Sequence, residues 1–266
     1  MSSGIISIGY SEEPTGTSKH YHDGHQLLYI AKGDADVSVG GKRERVGDGT
    51  LLLFNRFEEH SIIVKSDEYK RYSLRISSDA GVGGKRELLF AVLVNRFPGF
   101  CHALPTGKNA AAVEGLFRRL VREYRSDIPF REEMMDALLR ELLITVCRMM
   151  PQPPTAQKNE NVRLISRVQQ RFESNYAENY SLASLAAEHH MSVSYLSHLF
   201  KEVTGVSVME YLTACRMQAA KGYLATTDLS IGEIVCVCGF SDDSNFSRSF
   251  KAKTGLTPSE FRKRYR

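Results

Sequence analysis

His20 and His22 stand two residues apart, Gln26 follows four residues after the second, and His60 lies on a later segment. On a β-strand alternate side chains share a face, so the two histidines are expected to line one pocket, with Gln26 and His60 beside them. Imidazole and carboxamide groups both donate and accept hydrogen bonds, which suits a polar organic ligand. The same histidines could ligate a metal, but the neutral amide is a poor replacement for a carboxylate ligand. We therefore expect His20, His22, Gln26 and His60 to bind a polar organic molecule, with no metal and no cofactor. Histidines that serve the fold alone are the plainer alternative.

A second set of chemistry-bearing side chains lies toward the C-terminus. Leu196, Leu199, Phe200 and Val203 follow the i, i+3, i+4, i+7 rule of a buried helix face, which leaves Ser194, Ser197, His198 and Lys201 on the opposite side. Phe246 and Phe250 do the same for a helix that exposes Ser244, Ser247, Arg248 and Lys251, with Ser241 or Asp242 as its N-cap. One such stripe is most simply a solvated face. Two of them on a repeated frame point to base edges and phosphates.

The elements that must carry these stripes are written twice. FKEVTGVSVMEY at 200–211 recurs as FKAKTGLTPSEF at 250–261, each matched position 50 residues on. Gly205 and Gly255 fall where a helix would stop, because glycine takes the left-handed conformation without a Cβ penalty. Ser207 with Glu210, and Thr257 with Glu260, are capping boxes that start the next helix, and Pro258 suits its first position. A short apolar-patterned helix and a turn precede each copy, so the repeated unit is a helix-turn-helix. Residues 209–226 read as one connecting helix of roughly 25 Å. Recognition helices held that far apart could enter adjacent major-groove segments, spaced about 34 Å on one face of a duplex.

Around the histidines, QLLYI, ADVSV, ERV, TLLLF, SIIV and YSLRI are short β-favouring runs, with ADVSV and ERV joined across Gly40-Gly41. Many short strands at even spacing indicate a small barrel or sandwich. Residues 108–125 and 130–149 follow as two helices, with Val113, Leu116, Phe117, Leu120 and Tyr124 inward on one, and Met134, Leu138, Leu142 and Ile144 or Val146 on the other. GVGGK at 81–85 lacks the spacing of a phosphate loop and reads as an ordinary connection. PQPPTAQKNEN at 151–161, rich in proline and polar residues, marks a linker.

Composition narrows the class. The 266 residues are 42% hydrophobic and carry a net charge of +4. Up to Ala156 there are 21 Lys and Arg against 20 Asp and Glu, and from Gln157 onward 14 against 11. Neither half is strongly basic, so a nucleic-acid function must rest on where the charges sit. The opening MSSGIISIGYSEEP lacks the form of a signal peptide, and no apolar run approaches the roughly 18 residues of a membrane span. Five scattered cysteines fit reduced thiols of a cytoplasmic protein. Cys236 and Cys238 lack a second pair to complete a zinc set and read as small buried side chains.

Residues 160–266 resemble the DNA-binding domain of the AraC/XylS family of bacterial transcription regulators. The most specific element runs from Ile231 through GFSDDSNFSRSFKAKTGLTPSEFR, with Asn245 standing where that family usually has an aromatic. The resemblance implies base-reading roles for Ser194, Ser197, His198, Asp243, Ser244 and Arg248. The guanidinium of Arg248 suits bidentate pairing with guanine. Lys201, Lys251, Lys253 and the terminal RKRYR are assigned to phosphates. The spacing from His20 to His60 resembles the cupin pattern, whose glutamate position is Gln26 here and whose usual proline and glycine before the last histidine are Asn55 and Phe57.

The expected fold is α+β: a cupin-like β-barrel with a helical pair over 1–150, a linker at 151–160, and an all-α domain with two helix-turn-helix units over 161–266. The expected function is a non-enzymatic, effector-controlled transcription regulator that binds double-stranded DNA. The resemblance implies a homodimer formed through the helix pair and RNA polymerase as a further partner. A metal-dependent cupin enzyme carried to DNA, and a regulator without a ligand, are the competing readings.

Overall fold

The computed structural model describes residues 4–77, 88–89, 92, 102–150 and 156–266. GVGGK and the first part of the linker lie outside them. The chain divides into two compact units: Met1–Arg163 together with Val203–Gly205, and Leu164–Glu202 together with Val206–Arg266.

The first unit is built from β1 (Ile5–Ser11), β2 (Thr17–His20), β3 (His25–Lys32), β4 (Ala35–Val39), β5 (Lys42–Val46), β6 (Thr50–Phe54), β7 (His60–Val64), β8 (Lys70–Ile76) and β9 (Ala103–Pro105). They form a five-stranded sheet in the order β1-β8-β3-β6-β9 and a four-stranded sheet in the order β2-β7-β4-β5. Every pairing is antiparallel. Gly40 and Gly41, both at positive φ, close the β4–β5 hairpin, as the twist of two joined strands requires.

Period-2 alternation gives the larger sheet two different faces. Leu27, Tyr29, Leu51, Leu53, Tyr72, Leu74 and Ile76 join a cluster with the helices α1 (Ala110–Tyr124) and α2 (Arg131–Met149). Leu28, Ile30, Leu52 and Phe54 pack instead with Val37, Val39 and Ile62 of the smaller sheet. β1 and β9, which the sequence does not announce, flank the larger sheet.

The helix pair corrects one expected phase. Met134, Ile144 and Tyr124 are exposed, whereas Met135, Leu138, Leu139, Leu142, Leu143 and Val146 face the sheet. The run EEMMDALLRELLITV carries adjacent apolar pairs, so its pattern fits two phases one residue apart, and packing on the sheet selects one.

The helical part of the chain consists of α3 (Ala156–Ser174), α4 (Leu182–Glu188), α5 (Val193–Thr204), α6 (Val208–Thr226), α7 (Ile231–Val237), α8 (Asp243–Thr254) and α9 (Pro258–Tyr265), most of it in the second unit. The stretch read as linker over 151–160 is therefore helical from Ala156 onward. The two repeats share one aromatic joint. Phe200 meets Tyr211 edge-on at 5.6 Å, and Phe250 meets Phe261 edge-on at 5.3 Å, the same pair 50 residues later. Ser207 and Thr257 each accept from the backbone N–H three residues on while Glu210 and Glu260 bond back, closing both capping boxes. A third box, Ser230 with Glu233, starts α7.

The turn inside each unit carries a small irregularity. Met191 N–H donates to the Ala186 carbonyl and Phe240 N–H to the Val235 carbonyl, a spacing of 49 residues. After the turn the spacing is 50, so the second turn is one residue longer. His190 and Gly239 hold the matching left-handed positions at φ 54° and 78°.

Candidate functional sites

Strand pairing brings the predicted histidines together. His20 at the end of β2 is opposite His60 at the start of β7. His22 lies past the end of β2, so it reaches the cluster from the connection to β3 and not from the same strand as His20. The His20 and His22 Nε2 atoms are 3.2 Å apart, and the His60 ring centre lies 4.5 Å from that of His20 and 5.3 Å from that of His22. Phe54 stacks on His60 at 3.9 Å and fixes its plane.

Hydrogen bonding sets the tautomers. His20 Nδ1 is 2.7 Å from the Ser18 carbonyl and His60 Nδ1 is 3.0 Å from the Glu58 carbonyl. A carbonyl can only accept, so both Nδ1 atoms carry the hydrogen, and in the neutral rings both Nε2 atoms hold lone pairs. The short His20–His22 contact then has His22 Nε2–H donating. Burial, helped by His60, His20 and Arg75, pushes the His22 pKa down to about 3 against an opposing contribution from the Gln26 amide. Burial likewise lowers His60 to about 4. Both rings are neutral at neutral pH.

Gln26 also faces this space, donating from Nε2 to Ser73 Oγ at 3.0 Å. The cavity measures about 440 Å³ and is walled by the histidines and Gln26, by Ser7 and Gly9 of β1, and by Arg71, Ser73 and Arg75 of β8. Sequence reading missed the β8 residues. Their signal was the alternation in RYSLRI, where Arg71, Ser73 and Arg75 sit at every second position between Tyr72, Leu74 and Ile76. Among the described residues no acidic side chain lines the cavity. The Glu58 carboxylate is taken by His102 Nε2 at 2.9 Å and the Asn55 N–H at 3.0 Å.

The three imidazoles lie close enough for one ion, with their donor atoms within 4.8 Å of one another. The remaining donor set fits a cation poorly. Gln26 replaces an anionic ligand, and two guanidinium groups share the space.

The second site is the exposed face of α5 and α8. Ser194, His198, Lys201, Asp243, Ser244, Arg248 and Lys251 are exposed, and Ser197 is half-buried. Their inward counterparts Leu196, Leu199, Phe200, Val203, Phe246 and Phe250 are buried as the periodicity predicts. Asp242 is the N-cap of α8, accepting from the Asn245 N–H at 2.8 Å. Val193 and Tyr195 also stand exposed on α5, at 44% and 46%, and sequence reading passed over them. Part of the basic tail has another role. Arg262 donates to the Leu229 carbonyl and Arg266 pairs with Asp228, so these two tie α9 to the loop before α7. Cys238 is buried as expected, but Cys236 on α7 is exposed.

Residues 6–143 match the AraC-like ligand binding domain and residues 185–264 match a helix-turn-helix domain. The chain belongs to the AraC family of regulators. Its AraC-like domain contains the histidine cavity, and its helix-turn-helix match contains both exposed stripes. The chain is 25% identical over 256 residues to the Msm operon regulatory protein of Streptococcus mutans, covering 96% of this chain and 88% of that one. It is 30% identical over 135 residues to the HTH-type transcriptional regulator YijO of Escherichia coli, spanning about half of each protein, 51% and 48%. ToxT of Vibrio cholerae shares the fold, with a TM-score of 0.59 over 96% of both chains at 15% identity. Among the described residues no helix is long and apolar enough to cross a membrane.

Proposed function

We propose that this AraC-family protein is a non-enzymatic regulator whose β-domain cavity binds a small organic effector and whose α5 and α8 read duplex DNA. The observation that carries the effector reading is a pair of buried acceptors facing one cavity. Gln26 Oε1 and His60 Nε2 make no hydrogen bond of ordinary geometry. Buried polar atoms are rarely left so, and a ligand with donors satisfies them. A crystal structure of ToxT with a bound unsaturated fatty acid accords with an effector site in this fold.

The DNA reading rests on Arg248 and His198, which occupy matching positions 50 residues apart on two exposed stripes. Dimerisation through the helix pair is supported by its exposed apolar residues: Ile128, Phe130 and Met134 are 62%, 79% and 46% exposed around the α1–α2 turn.

The experiment pairs a transcriptional reporter with DNA binding by the same purified proteins. His22→Ala and His60→Ala should abolish the response to effector and leave operator affinity unchanged; variants that respond normally would remove these residues from sensing. A second reading is a metal site, favoured by the two Nδ1–H bonds to backbone carbonyls, the arrangement seen behind metal-ligating histidines. One equivalent of a transition metal in purified protein would establish it.

A further inference from the structure

Resting on the reading of the cavity as an effector site, we propose that the effector is a small hydroxylated organic anion, its oxyanion held by Arg71 and Arg75 and its hydroxyls by Gln26 and His60.

β8 places the two arginines on the cavity face, with Ser73 between them. Arg75 sits beside Gln26 of β3 on one side and Ser7 of β1 on the other. Its Nε donates to Ser7 Oγ at 2.8 Å, and Arg71 Nη1 donates to the Thr15 carbonyl at 2.7 Å. A guanidinium has five N–H groups, so each anchor holds the fork in place and leaves further donors for a ligand. Among the described residues neither arginine forms an ion pair, whereas Arg43, Arg45 and Arg56 each pair with an aspartate. Among the described residues that line the cavity none is acidic, so no carboxylate there balances the charges of Arg71 and Arg75. A partly enclosed charge favours a counter-ion, and a planar oxyanion meets the guanidinium fork with two bonds.

The opposite requirement comes from two buried acceptors that lack a hydrogen bond of ordinary geometry. Gln26 is 6% exposed and His60 2% exposed, and neither Gln26 Oε1 nor His60 Nε2 can bond to an oxyanion. They need donors, which hydroxyl groups supply. An acid without hydroxyls would leave the acceptors bare, and a neutral polyol would leave the arginines unmatched. A cavity of about 440 Å³ admits a molecule of about the size of a sugar acid.

The test is the thermal unfolding of the full chain at one ionic strength, set with chloride. Glucuronate, tartrate and glucose 6-phosphate are compared with the neutral glucose and erythritol. Glucuronate or tartrate should raise the midpoint by about 2 °C or more at a concentration well above Kd, with no rise from the neutral partners. A rise from glucose 6-phosphate alone assigns the oxyanion as a phosphate ester. The rise should vanish in Arg71→Gln/Arg75→Gln, return in part in Arg75→Lys, and persist in Arg43→Gln, whose arginine lies on the β4–β5 hairpin. No rise above chloride from any of the three anions, or a rise that survives the double substitution, overturns the proposal. A rise from glucose that is lost in His60→Asn but not in Arg75→Gln would keep the cavity as an effector site and overturn the anionic class.

Discussion

Arg248 is exposed on α8 and projects from a helix whose opposite face is locked by Phe246 and Phe250. Arg248→Ala should cost about 1–3 kcal/mol on the specific site and relax discrimination at one base pair. Lys251→Ala should weaken all sequences alike and reduce the salt dependence. Competition footprints with permuted sites distinguish the two effects. The histidine cluster gives a prediction of a different kind. His22 and His60 titrate near 3 and 4 in the fold against an ordinary value of 6.5, so between those limits the unfolded chain binds more protons than the folded one. Stability is then full above about pH 6.5 and falls as the pH drops toward 4. Thermal midpoints recorded from pH 7.5 to pH 5 should show this decline, and His60→Gln should flatten it.

At the scale of elements, the punctuation of the second unit is worth measurable stability. Ser207 caps α6 with a closed box, and Ser207→Ala should cost about 1 kcal/mol in chemical denaturation. Gly239 is more tightly constrained. It sits at φ 78°, and an added Cβ would meet the Ala177 carbonyl oxygen at 2.6 Å and its Cα at 2.8 Å. Both contacts are backbone, so Gly239→Ala should destabilise the second helix-turn-helix by about 2 kcal/mol or more and weaken DNA binding with it. On the helix pair, Met135→Ala should cost about 2–5 kcal/mol in chemical denaturation, because packing against the sheet buries this side chain.

At the scale of the molecule, α6 has 19 residues, a length of about 28 Å, and connects the first helix-turn-helix repeat to the second. If each unit docks in one major-groove segment, hydroxyl-radical footprints on a site selected from random duplex should show clusters about 10 base pairs apart on one face. One protected cluster per chain would mean that one of the two units does not touch DNA. The stripes also differ in character. α5 shows Val193 and Tyr195 beside His198, and α8 shows Asp243 and Asn245 beside Arg248. Apolar groups suit thymine methyls and arginine suits guanine, so the two clusters should differ in base preference.

The sequence by itself determined the helical half almost completely, because each of its signals is local. A glycine at a helix stop, a hydroxyl with a glutamate three residues on, and a 3.6-residue apolar period act within one or two turns, and Gly205, Gly255, Ser207, Thr257, Phe200 and Phe250 all do in the fold what they announce. The histidines of the β-domain were legible as a set for their residue types, but the arrangement of the site was not. Arg75 meets Gln26 and Ser7, and Arg71 meets Ile30 and Ser11, through pairings between strands about 40 or more residues apart in the chain, a register that no local pattern encodes. The same reason explains the exchange of Met134 for Met135 on α2. Where two phases bury equal apolar surface, the partner sheet decides, and the partner is supplied by tertiary structure.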